Sequence, residues 1–244
     1  LPDSMTLSIS RDSYYSSRTP KYSEAVLFHF CVDKHKYPYE CVTPDRKLRM
    51  KGKRQKTGAT ITPAIEGEWR WSSDYVLSFK PKKPWPTGAT YSVSFDAHLY
   101  GPEIFVENPS ATFTTEDLSL SFPSMQYFQD PGNIDKKGVT TEISFNSPID
   151  EKSLKEHISV KLEELTDESS PGKRKVITAA EVMPFEMHLN PAKTRATVST
   201  PITTLPEKER FLKLIVKPGV ESASGGRPLP AGRELRCDQP SRQA

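Results

Sequence analysis

Short stretches of alternating apolar and polar residues recur along the whole chain, separated by clusters of Pro, Gly, Asp and Ser. Alternation with period two sends every second side chain to one face, the pattern of a strand with one buried and one solvated side. It predicts strands over residues 6–10, 24–31, 60–65, 67–71, 75–79, 90–99 and 111–115. A second set follows at 118–122, 139–145, 158–162, 182–189, 196–199 and 211–216. In the last of these, Phe211 is set against a core together with Leu212, Leu214 and Val216. One segment breaks the pattern. Asp150-Glu-Lys-Ser-Leu-Lys-Glu-His157 reads as one or two helical turns, with Asp150 capping the orphan amides and Glu151 at the positive end of the dipole. Short strands at close spacing with turn residues between them specify an all-β protein built as two consecutive sandwiches. The expected boundaries are residues 1–116, residues 117–238 and a tail at 239–244. From Gly225 onward Gly, Pro and Arg dominate and the chain reads as irregular, with residues 233–237 available as an edge strand.

Composition agrees with sandwiches. Leu, Ile, Val and Phe make up 52 of 244 residues, just above the roughly 20% below which a highly charged chain reads as disordered. A net charge of +3 does not force expansion. The core is therefore real but thin. The 22 prolines, scattered along the chain, argue against long helices. Apolar runs stop at about four residues, so no helix can cross a membrane. The chain starts at Leu1 with neither an initiator Met nor a signal h-region, and the expectation is a soluble piece processed or excised from a larger protein.

Candidate chemistry is sparse. The histidines His29, His35, His98, His157 and His188 form no pair with metal-ligand spacing. There is no nucleophile elbow, no phosphate-cradling Gly-rich loop and no Cys-x-x-Cys. Acid pairs at Glu163-Glu164 and Asp167-Glu168 read as solvated loop. The expectation is a protein that is not an enzyme and holds no cofactor or metal. Cys31 and Cys41 bracket a polar, aromatic loop. A disulfide there would contribute about 2–3 kcal/mol and require an oxidising compartment. Two separate thiols are the equal alternative, and Cys237 is left unpaired. Residues 46–56 carry seven positive charges. An exposed inter-strand loop is the preferred reading, with nucleic acid, lipopolysaccharide or an anionic membrane surface as partners it would otherwise suit. The run lacks aromatics for base stacking, so no nucleic-acid partner is expected. Trp69, Trp71 and Trp85 are assigned to core and edge capping rather than to a sugar-binding platform.

The stretch Ile61-Thr-Pro-Ala-Ile-Glu-Gly-Glu-Trp-Arg-Trp-Ser-Ser-Asp-Tyr-Val-Leu-Ser-Phe-Lys-Pro81 resembles the amino-terminal region of bacterial alpha-2-macroglobulins. The resemblance continues through Trp85-Pro-Thr-Gly88, Tyr91-Ser-Val93, Phe113-Thr-Thr115, Tyr127-Phe-Gln-Asp-Pro131, Lys137, Phe145-Asn-Ser-Pro148 and Asp150. It covers roughly residues 60 to 160 and implies two consecutive immunoglobulin-like, macroglobulin-like β-sandwich domains. It also implies a parent that inhibits a broad range of proteases by trapping them, after cleavage of an exposed bait segment. The implied location is the periplasm or cell envelope, with lipid anchoring through an amino terminus that precedes this chain. Implied partners are proteases, met through the full-length parent, and other domains of the same chain; no membrane insertion by this piece is implied. The family's thioester pattern, Cys-x-Glu-Gln, is absent, and Cys237-Asp-Gln-Pro240 does not match it.

Tyr127 and Phe128 lie just beyond the expected joint at Glu116-Asp117 and are the candidates for packing between the domains. Their replacement by alanine is then expected to loosen domain orientation in small-angle scattering. The alternative functional reading is a bacterial immunoglobulin-like binding or adhesion module of a cell-envelope protein.

Overall fold

A computed structural model describes residues 5–10, 24–32, 50–96, 98–100, 104–106, 108–130, 132–164, 181–201, 203–204 and 210–239. The chain divides into two units, Leu1–Glu116 and Asp117–Ala244, and among the described residues their regular structure is strand apart from one short helix.

In the first unit the strands are β1 (Met5–Ser10), β2 (Val26–Val32), β3 (Arg54–Gln55), β4 (Ala59–Thr62), β5 (Gly67–Ser73), β6 (Val76–Pro81), β7 (Thr90–Phe95), β8 (Ile104–Val106) and β9 (Ser110–Thr114). They form a six-stranded sheet in the order β3-β5-β6-β2-β1-β8 and a three-stranded sheet β4-β7-β9. All pairs are antiparallel except β1 with β8. Alternation fills the core from both sheets. Tyr91, Val93 and Phe95 of β7 are buried while Thr90, Ser92 and Ser94 face out. Opposite them stand Phe28 and Phe30 of β2, Trp71 of β5 and Phe79 of β6. Phe28 meets Phe95 edge-on at 5.2 Å, and Tyr91 stacks on Phe113 at 5.4 Å. Such pairs add about 0.5–1.5 kcal/mol each beyond the area they bury.

The alternation over 90–99 predicts a ten-residue strand, but β7 ends at Phe95. Asp96 turns the chain: its Oδ1 accepts from the His98 backbone N–H at 2.8 Å and lies 2.9 Å from the His98 ring Nδ1. This local acceptor replaces a ladder bond. The His98 backbone N–H, and then its ring, hold the Asp96 carboxyl below the usual aspartate range.

Gly67 opens β5 for a steric reason. A Cβ there would overlap Phe79 Cζ and lie 2.7 Å from the Lys80 carbonyl oxygen. Gly67→Ala is therefore expected to push Phe79 out of its place between Trp69 and Trp85, destabilising the unit by about 2 kcal/mol. Urea denaturation followed by tryptophan fluorescence checks this, and an unchanged midpoint would refute it.

The second unit comprises β10 (Leu120–Asp130), β11 (Asn133–Phe145), α1 (Glu151–His157), β12 (Ile158–Glu164), β13 (Glu181–Met183), β14 (Glu186–Leu189), β15 (Arg195–Ser199), β16 (Thr203–Thr204), β17 (Arg210–Val216) and β18 (Arg233–Gln239). One sheet runs β10-β11-β15-β14, with β16 added to β11; the other runs β13-β12-β17-β18. Leu212, Leu214 and Val216 are buried as the alternation requires, whereas the side chain of Phe211 lies outside the described residues. Residues 233–237 do form an edge strand, and it continues to Gln239. Residues 182–189 read as one strand but are two: β13 pairs with β12 in one sheet, and β14 pairs with β15 in the other. Pro184 lies between them and has no N–H to donate to a ladder, so the chain changes sheets there. The helical turn is present with its cap, as Asp150 Oδ1 accepts from Ser153 N at 2.8 Å.

Candidate functional site

Among the described residues, the sequence-predicted site residues lie on separate segments. Cys31 sits in β2 opposite Ser8 of β1, while Cys41 lies outside the described residues. Tyr127 and Phe128 stand in β10 opposite Val139 and Gly138, and their side chains are outside the described set. His29 and His98 belong to the first unit and His157 and His188 to the second, each on a different segment; His35 is outside the described residues. Among the described residues no group of three or more His, Cys, Asp or Glu is placed to hold a metal. Trp71 and Trp85 are 0% and 1% exposed, and Trp69 packs half-buried on the same core. A sugar platform needs exposed rings, so these indoles do not form one. Burial also pushes the Tyr91 phenol up from its ordinary pKa.

What does converge is a set of short polar side chains within the recurrent motifs. In the first unit, Trp85-Pro-Thr-Gly88 and Phe113-Thr-Thr115 are tied to each other. Thr115 Oγ1 accepts from Ala89 N at 2.8 Å and donates to Pro86 O at 2.6 Å. Thr115 N donates to Ala89 O, and Gly88 N to the Glu116 carbonyl. Gly88 adopts a φ of 58°, open to glycine at little cost. Trp85 Nε1 donates to Glu24 O at 2.8 Å, which ties the start of β2 to the same loop. Thr115 is 3% exposed, so its removal would leave the Ala89 amide unsatisfied in a dry place. Thr115→Val is expected to lower first-unit stability by about 2 kcal/mol, with Thr115→Ser recovering most of it. Equal urea midpoints for Val and Ser variants would count against the hydroxyl's role.

In the second unit, Phe145-Asn-Ser-Pro148 and Asp150 form a comparable cluster. Asn146 Oδ1 accepts from Ser119 N at 2.8 Å, and Asn146 Nδ2 donates to Asp117 O at 2.8 Å. This holds the chain leading into β10. Pro148 O accepts from Ala223 N and from Ser222 Oγ, which also lies 3.3 Å from Ser147 Oγ. Ile149 is fully buried and bridges to Ser222. Asp150 N donates to Glu221 O, and Ser153 Oγ returns the tie by accepting from Glu221 N at 2.9 Å. Gly219 lies close to the imidazole of His157, whose Nε2 would be 2.6 Å from a Cβ there.

No family model matches the chain. Similar curated proteins include the alpha-2-macroglobulin of Rickettsia conorii, 33% identical over 186 residues, which is 76% of this chain and 9% of that protein. The alpha-2-macroglobulin homolog of Yersinia pestis is 37% identical over 108 residues, 44% of this chain and 5% of that protein. The alpha-2-macroglobulin of Pasteurella multocida is 32% identical over 108 residues, covering 43% and 6%. The chain belongs to the bacterial alpha-2-macroglobulin family.

The matched stretch spans less than a tenth of each of these relatives. Within this alpha-2-macroglobulin segment the motif residues are fold determinants. Gly67 makes room for a ring, Thr115 holds backbone groups of Pro86 and Ala89, Asn146 holds those at the start of the second unit, and Asp150 caps a helix. The sequence motifs contained Thr115 and Asn146 without indicating what they hold. Their partners lie 26 to 29 residues away, and the only local signal is a Thr or Asn at the end of a strand.

Proposed function

We propose that this chain contributes architecture to a bacterial alpha-2-macroglobulin that traps proteases in the periplasm or cell envelope. Two macroglobulin-like sandwiches position and enclose, while the bait segment and any thioester belong to other parts of the longer protein. The observation that carries this reading is the 33% identity to the Rickettsia conorii protein across 76% of the chain. The use of motif side chains as backbone staples supports it, because such residues serve shape rather than chemistry. The piece is then neither a catalyst nor an inhibitor by itself, and it binds no cofactor.

The test is to blot fractionated source cells with antibody to this chain and then assay the native protein. The expected band is several times larger than 27.5 kDa and sits in periplasmic or membrane fractions. Proteases mixed with that protein should keep activity on small peptides and lose it on large substrates, as steric enclosure requires. A band near 27.5 kDa would overturn the reading in favour of a free-standing binding or adhesion module.

A further inference from the structure

The basic run supplies β3 to the six-stranded sheet, but its charge has no part in the architecture described so far. The first unit holds sixteen Lys and Arg against thirteen Asp and Glu, and seven of the sixteen fall within residues 46–56, which contain no acid. The remainder of the unit is net negative, so its charge is segregated along the chain. The described part of the run, residues 50–56, is a hydrogen-bonded sheet edge. Gly52 N donates to Trp71 O at 2.8 Å, Trp71 N to Lys53 O at 2.9 Å, and β3 pairs with β5.

Across that ladder Arg54 stands directly opposite Arg70. Like charges facing each other weaken a sheet. Strand alternation puts Arg54, Glu68, Arg70 and Lys80 on one face and turns Trp69 and Trp71 to the other. Glu68 serves both guanidinium groups, at 2.7 Å from Arg54 Nε and 3.9 Å from Arg70 Nε. Glu66 pairs with Lys82, and Asp74 Oδ1 accepts from the backbone amides of Met50 and Lys51. Lys51, Lys53 and Lys56 are exposed, and among the described residues none of them has a carboxylate partner.

We propose that this edge of the first unit is a docking surface for an anionic lipid bilayer. Clustered Lys and Arg beside a membrane each add to attraction toward its negative headgroups. Residues 51–56 include no apolar side chain, whereas the centre of a protein interface is apolar or aromatic. The run has no aromatic residue for base stacking, which disfavours single-stranded nucleic acid. Docking is peripheral, through side chains and lipid phosphates, and is independent of protease trapping.

Co-flotation with vesicles tests this, using phosphatidylcholine alone and phosphatidylcholine with about one third phosphatidylglycerol. The chain should bind only the anionic vesicles, and molar salt should release it as the screening length falls to about 3 Å. The triple variant Lys51→Gln, Lys53→Gln, Lys56→Gln should partition about a hundredfold more weakly. Circular dichroism and the urea midpoint of that variant should match the unaltered chain. Three outcomes would each overturn the proposal: no flotation at low salt, equal flotation of the triple variant, or binding to a DNA duplex in the absence of vesicle binding.

Discussion

Replacing Trp85 by alanine is expected to lower the stability of the first unit by about 4 kcal/mol. The indole is 1% exposed and sits among Tyr91, Phe113 and Phe79 at centroid distances of 5.2, 5.4 and 5.8 Å. Truncation leaves a cavity that three rings, each fixed in a strand, cannot collapse to fill. It also removes the donor to the Glu24 carbonyl. Trp85→Phe keeps most of the ring contact and loses that hydrogen bond, so about 1–2 kcal/mol is expected. All three tryptophans lie in the first unit. Their fluorescence therefore reports this unit alone, with Trp69 and Trp71 remaining as probes in the variant. Urea midpoints at constant slope give the difference. A loss below about 1 kcal/mol for the alanine variant would mean that Trp85 covers an edge and does not fill a core.

Ile149→Ala should cost the second unit about 3 kcal/mol, and Ile149→Val about 1 kcal/mol. Ile149 is 0% exposed, lies between β11 and the capped helix, and donates its amide to Lys193 O at 3.0 Å. Its side chain belongs to the hydrophobic core of the second unit, and its backbone bridges to Ser222. Hydrogen exchange of the β11, β12 and β17 amides reads the loss. Tryptophan fluorescence should not change, because the effect belongs to the other unit. If exchange rose in both units together, the two would fold as one cooperative body and their stabilities would not be separable.

The two variants probe residues that differ in how plainly their neighbours in the chain mark them. Trp85 stands in a Pro-Trp-Pro-Thr-Gly turn, and that turn chemistry alone marks it for an edge-capping role. Ile149 is a single apolar residue between Pro148 and Asp150, and nothing in its spacing marks it as fully buried. Asp150 was legible because a cap satisfies the amide three residues later in its own chain. Asn146 was not, since it holds Asp117 and Ser119.

Alternation by itself determined the all-β class and the buried faces of β7 and β17, and the capping chemistry at Asp150 determined the helical turn. Each depends on backbone geometry within a few residues: side chains on a strand alternate whatever strand lies alongside. Tertiary structure alone decided the parallel pairing of β8 with β1, the change of sheet at Pro184 and the meeting of Gly67 with Phe79. It also decided that Arg54 would face Arg70. These follow from which segments come together, at separations of up to about 100 residues of chain. Register and steric contact at that range are set by the packing of whole sheets, and no local period records them.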